Sequence, residues 1–189
     1  MDNIALERSP LGSRAATRVL QLLALNPSRP FFLRELARLT GERVNGVSQA
    51  LRRLLADGLV RTEALGGRRA YLIDAANPYF PELQRIALKS LDLPGVLDAA
   101  GVTALRIYVY GSFAKGTADA ASDIDLLVVG AETTPGAAEE ALAAVGHRLN
   151  RAISVRVVPD AEYQRQLADP ATFISAVAGG PLIELQVRP

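Results

Sequence analysis

The sequence predicts an α+β protein made of two successive units, a helical one closing on a β-hairpin and a small α/β one built on a mixed sheet. Three observations predict it. Apolar residues recur at helical spacing from about residue 13 to 57, then alternate at strand spacing over 59–64 and 69–73. A proline-bearing break follows at Asp74–Pro81. Beyond it, apolar strands and helical stretches interleave to the end of the chain.

Ser13 is placed to cap a first helix, whose apolar set Val19, Leu20, Leu22 and Leu23 precedes a stop at Asn26-Pro27. Phe31-Phe32 reads as a short extended piece. A second helix turns Leu33, Leu36, Ala37 and Leu39 inward and ends near Thr40-Gly41. A third runs from about Val44 to Asp57, with Val47, Leu51 and Leu54 inward and Gly58 as its terminator. Leu59–Ala64 and Arg69–Ile73 alternate as two strands, joined by a Gly66-Gly67 turn. Two prolines and an Asn-Pro step then set the expected boundary, giving domains at 1–76 and 77–189. Helices are expected at about Glu82–Lys89, joining the two halves, and at Leu93–Ala99. Strands are expected leading into Gly111, after Asp123 and over Ala152–Val158, with a helix over Gly136–Asn150, helical pieces over 160–178 and a last strand over Leu182–Val187.

Composition narrows the function classes. The chain has 189 residues, 49% of them hydrophobic, enough to bury two small cores. Cysteine is absent, which excludes disulfides and cysteine-based zinc sites and suits a reducing cytoplasm. No apolar run approaches the ~18 residues that span a bilayer, and the first residues lack a signal-peptide stretch. A cytoplasmic protein with no membrane partner is expected. Charge is divided unevenly. Residues 1–90 hold 14 basic and 8 acidic side chains, and residues 91–189 hold 7 and 12. A first half at +6 points to a polyanionic partner.

That partner is expected to be double-stranded DNA. Asn45, Ser48, Gln49 and Arg52 fall on one polar stripe of the third helix, opposite its core stripe. Asn, Gln and Arg are the side chains that make paired hydrogen bonds to adenine and guanine edges. Arg43 and Arg53 flank the stripe, and Arg68 and Arg69 stand at the hairpin tip, where they would meet phosphates or a minor groove. The alternative for these residues is an ordinary solvated helix face. The stretch Leu33–Val60, and Val47–Val60 above all, resembles the DNA-binding half of winged helix-turn-helix regulators, a resemblance that covers about residues 13–75. It implies a transcription regulator that binds DNA as a homodimer.

The most informative motif lies in the second half. Leu105, Ile107 and Val109 lead into Gly111-Ser112-Phe113-Ala114-Lys115-Gly116, and Ser122-Asp123-Ile124-Asp125 follows, with an apolar tail to Val129. Gly111 permits a sharp bend and a close ligand, and Ser112 is placed to cap a short helix whose free N–H groups attract phosphate. Lys115 either reaches a β- or γ-phosphate or is simply solvated. Asp123 and Asp125, two apart in extended chain, lie roughly 6.6 Å apart at Cα and project to one face. Such a pair suits divalent cations, which sit about 3.5–4 Å apart in two-metal phosphoryl-transfer sites.

This combination resembles the nucleotidyltransferase superfamily that includes DNA polymerase beta, and in particular its minimal nucleotidyltransferases, over about residues 100–160. The resemblance implies that Gly111 and Ser112 hold ATP or another nucleoside triphosphate, and that Asp123 and Asp125 bind Mg²⁺ and act in catalysis. It also implies a third acid on a neighbouring strand. The matching segment, Ala152–Val158, has none: its polar face offers Ser154 and Arg156, and a one-residue slip only exchanges faces. Arg156 either sets its charge beside Asp123 and Asp125 or faces solvent at an edge. Asp160 and Glu162 could substitute only by folding back. Tyr108 and Tyr110 either stack on a base or lie beneath a helix, and His147, the sole histidine, reads as a surface residue.

The expected function is a DNA-binding transcription regulator whose nucleotidyltransferase-like domain binds nucleotide and is impaired in catalysis. The alternative is an active, ATP-dependent nucleotidyltransferase of the antitoxin type, acting beside a toxin-like protein partner and carrying its own DNA-binding module. A third possibility is a structural fusion that binds neither nucleotide nor metal.

Overall fold

The computed structural model describes residues 12–130 and 136–185. The chain divides into two compact units, one running to Leu91 and including Arg148–Asn150, the other made of Asp92–His147 and the chain from Arg151 onward. The expected boundary at residue 76 therefore falls inside the first unit.

The first unit comprises α1 (Arg14–Ala24), β1 (Phe31–Phe32), α2 (Leu33–Thr40), α3 (Val44–Ala56), β2 (Val60–Leu65), β3 (Arg68–Ile73) and α4 (Phe80–Lys89). The Ser13 hydroxyl caps α1 by accepting the Ala16 N–H at 3.1 Å. Gly41, at φ 66°, ends α2 in the left-handed region that glycine enters freely. The three strands form an antiparallel sheet in the order β1-β3-β2. Val19, Leu20, Leu23, Phe31, Leu36 and Leu51 are fully buried at its centre. Leu83, Ala87 and Leu88 of α4 are buried too. Gln84 donates to the Ala24 carbonyl at 3.2 Å and Gln21 donates to Ser90. These bonds tie α4 to α1, which is why the unit extends to Leu91.

The second unit comprises α5 (Leu93–Ala99), β4 (Ala104–Tyr110), α6 (Gly111–Lys115), β5 (Ile124–Gly130), α7 (Ala137–Leu149, whose last two residues belong to the first unit), β6 (Ile153–Pro159), α8 (Asp160–Leu167), α9 (Phe173–Ala178) and β7 (Ile183–Leu185). Its sheet is mixed, in the order β6-β5-β4-β7: β4 runs antiparallel to both β5 and β7, and β5 runs parallel to β6. The expected end of the last strand, beyond Leu185, lies outside the described residues. One face of the sheet carries the buried Ile107, Val109, Ile124, Leu126 and Val128. On the other, Leu127, Val129 and Val158 are covered by Tyr163 of α8 and Ile174 of α9, with Tyr108 and Tyr110 against them. Asp125 stands on this second face, one alternation before Leu127 and half-buried.

Candidate functional site

The site is built where β4 hands over to α6. Tyr110 is still extended, and the bend is made at Gly111, whose φ of 70° disfavours any side chain. Tyr110 pairs with Asp125 in the antiparallel ladder, so the bend lies against the Asp125 carboxyl group. A Cβ at Gly111 would collide with Asp125 Oδ2. The short helix ends at Gly116, φ 71°, with the Thr117 N–H donating to the Ser112 carbonyl at 2.9 Å. Ser112 is not the cap it was expected to be. The bend falls at Gly111 itself, so the helix starts there and Ser112 lies in its first turn. Its hydroxyl has no hydrogen-bond partner among the described residues. Lys115 is exposed on the last turn.

Asp123 is exposed just before β5, and Asp125 lies within the strand; fully buried Ile124 separates them. Neither carboxylate has a hydrogen bond or ion pair among the described residues. Burial pushes the Asp125 carboxyl above its ordinary range, and the neighbouring Asp123 charge pushes it the same way. The buried Arg151 guanidinium acts on Asp123 through space without bonding to it, and two adjacent carboxylates with no bonded partner among the described residues fit one divalent cation as two of its oxygen ligands. Among the described residues no cluster of three or more acidic or histidine side chains is placed to hold a metal.

The loop that delivers Asp123 is fixed from beneath by a residue the sequence reading passed over. Arg151, only 7% exposed, donates to the carbonyls of Asp119 (2.9 Å), Ala120 (2.9 Å) and Ser122 (2.7 Å). Its guanidinium also lies 5.7 Å from the Phe113 ring of α6. Above the clamp, Ser122 donates to the Asp119 carboxylate at 2.8 Å, and this bond holds the Asp119 pKa low. Arg151 thus joins α6 to the loop before Asp123. No local signal in the sequence marks it, because its partners lie about thirty residues upstream.

Strand register decides the question of a third acid. Asp125 pairs with Ser154 and Leu127 with Arg156, so the polar face of β6 brings a hydroxyl and a guanidinium alongside Asp125. Arg156 forms no ion pair among the described residues. It stacks on Phe173 of α9 at 4.5 Å, and Phe173 meets Tyr110 edge-on at 5.7 Å. Asp160 lies six residues beyond Ser154, roughly 20 Å along the strand, and is paired with Arg106. Glu162 is paired with Arg165. Glu184 of β7 sits opposite Tyr108, two strands and roughly 10 Å from β5. None of these acids can join the pair. Tyr108 is half-buried beside Tyr163 of α8. His147 is exposed on α7.

In the first unit, α3 turns Val47, Ala50, Leu51 and Leu54 into the core. Asn45, Gln49 and Arg52 are exposed and Ser48 half-buried. Arg43, Arg53, Arg68 and Arg69 are also exposed. The two acids nearest this surface are engaged elsewhere. Glu42 accepts from Arg14 at 2.8 Å and Arg18 at 3.3 Å, and Glu63 lies 3.5 Å from Arg61. Arg43, Arg52, Arg53 and Arg69 have no ion pair among the described residues. Arg68 departs from a free tip residue: its guanidinium stacks on Phe32 at 4.0 Å.

Residues 98–174 match the family model described as the nucleotidyltransferase domain, and this span holds the Gly111 bend, both aspartates and the β6 face. No curated protein and no solved structure matches the chain.

Proposed function

We propose that the nucleotidyltransferase domain binds a nucleoside triphosphate through Mg²⁺ and is impaired in transfer, and that the first unit is a winged-helix reader of double-stranded DNA, so that the chain is a nucleotide-responsive regulator. One observation carries the nucleotide half: the Gly111 bend lies against the Asp125 carboxyl group, and neither Asp125 nor the neighbouring Asp123 has a hydrogen bond or ion pair among the described residues. Asp123 and Asp125 would hold the cation, and the chemistry it would supply there is neutralisation of the phosphate charge. Gly111 seats the Asp125 carboxyl group against the bend, and Ser112 and Lys115 offer a hydroxyl and a cation to the phosphate oxygens. Impairment is supported by β6, where Ser154 and Arg156 occupy the face that a base would need. Among the described residues β6 thus offers no carboxylate to accept the proton of an attacking hydroxyl.

The DNA half is supported by the order three helices then hairpin and by the outward stripe on α3. A homodimer would set two such stripes on successive major-groove segments. The intact bend and acid pair also favour a second reading, an active nucleotidyltransferase of the antitoxin type beside a toxin-like partner.

Incubation of the protein with labelled ATP, Mg²⁺ and cell lysate separates the two. No labelled product is expected. A product that Asp123→Asn abolishes would establish the second reading and overturn impairment.

A further inference from the structure

Around the acid pair lies a set of donors that a cation held by two aspartates does not use. Arg156, Tyr110 and Ser154 share the face of Asp125: Tyr110 is its partner on β4, Ser154 its partner on β6, and Arg156 stands two residues further along β6. Strand spacing and rise put the Arg156 Cα roughly 8 Å from that of Asp125. The guanidinium carbon lies 4.5 Å over the centre of the Phe173 ring, which is itself 39% exposed, and Phe173 is braced edge-on by Tyr110. Contact with the ring face occupies no N–H donor, so the guanidinium keeps its hydrogen-bonding capacity. Neither Arg156, the Tyr110 hydroxyl nor the Ser154 hydroxyl has a hydrogen-bond partner among the described residues. A planar fork and a phenol O–H beside a cation-binding carboxylate form the donor set of an oxyanion site.

We infer that Arg156, seated on Phe173 and flanked by Tyr110, is a phosphate-binding subsite next to the acid pair, so that the ligand is a nucleotide presenting one phosphate to the Asp123–Asp125 cation and another to Arg156. The second phosphate is either the terminal phosphate of the same polyphosphate chain or a separate phosphate ester. This rests on the nucleotide-binding role proposed above. In place of a proton acceptor, β6 supplies an anion receptor, which turns a transfer site toward recognition.

Calorimetric titrations of wild type, Arg156→Gln and Phe173→Ala with AMP, ATP and adenosine 3′,5′-bisphosphate, each with Mg²⁺, test it. Arg156→Gln is expected to bind at least one of the doubly engaging ligands about tenfold more weakly or worse, as loss of a charge-assisted bond requires, and AMP unchanged. Phe173→Ala should show a smaller loss in the same direction. A deficit confined to ATP assigns the subsite to the nucleotide's own chain, and one confined to the bisphosphate assigns it to a separate ester. Equal affinities of wild type and Arg156→Gln for all three ligands would overturn the subsite. If wild type binds no nucleotide, the parent proposal fails, and inorganic phosphate then decides the subsite alone. Tyr110 ring resonances that shift with phosphate in wild type and not in Arg156→Gln uphold it, and resonances unmoved in wild type overturn it. Matching thermal unfolding of the variants excludes a loss of fold.

Discussion

Gly111 and Asp125 make the tightest coupling in the site. The backbone at Gly111 is left-handed and its missing Cβ is space taken by a carboxylate. Gly111→Ala should therefore lose about 1–2 kcal/mol from the backbone alone and, by pushing Asp125 aside, lose Mg²⁺-dependent nucleotide binding as well. Denaturant unfolding and calorimetry read the two effects separately. Asp125 carries its own signature in pH. Its folded pKa is raised by burial and by Asp123, so the protonated form is favoured in the folded state. That contribution to stability is full below the unfolded pKa and is lost as pH rises through the folded one. Asp125→Asn should thus unfold at higher temperature than the metal-free wild type at neutral pH, with the gap closing in acid; thermal melts across pH check this. The Gly111–Asp125 relation was legible in the sequence because bend and strand carry local signals. Arg151 was not, since burial under distant carbonyls leaves no trace in its neighbours. The stacking of Arg68 on Phe32 and of Arg156 on Phe173 was equally hidden.

Elements position what the residues supply. The α6–β5 loop holds its course because one buried guanidinium satisfies three of its carbonyls. Arg151→Ala should cost about 1.5–3 kcal/mol, the range for hydrogen bonds to a charged group, and should raise amide exchange near Asp119–Ser122 well above that in α8. Strand register has the larger functional consequence. Because Asp125 pairs with Ser154, Ser154→Asp places a third carboxylate on the same face, one strand away. It should bind Mg²⁺ at least several-fold more tightly than wild type in a direct metal titration, since a third anionic ligand is added. The face pattern of β6 could be read from alternation alone, and the structure keeps it. Where elements ended was less legible. The helix after Pro78 was expected to join the two halves. Its buried Leu83, Ala87 and Leu88 complete the N-terminal core, a pairing that composition does not encode.

At the scale of the whole chain, a basic first half and an acidic second half correspond closely to the two compact units. The division fits a polyanion reader joined to a cation-dependent nucleotide binder. Arg52→Ala should weaken operator binding by about 1–3 kcal/mol if it reaches a base edge, and binding overall should fall steeply with salt; fluorescence anisotropy on DNA upstream of its own gene measures both. Among the described residues no helix is long and apolar enough to cross a membrane. The bend and the acid pair are proposed to hold a nucleotide through a divalent cation. A calorimetric titration of the full chain with ATP, run with Mg²⁺ and with chelator, tests it most directly. Saturable heat that requires Mg²⁺ and vanishes in Asp123→Asn is the predicted result. No heat with Mg²⁺, or the same heat in chelator or in Asp123→Asn, would contradict it.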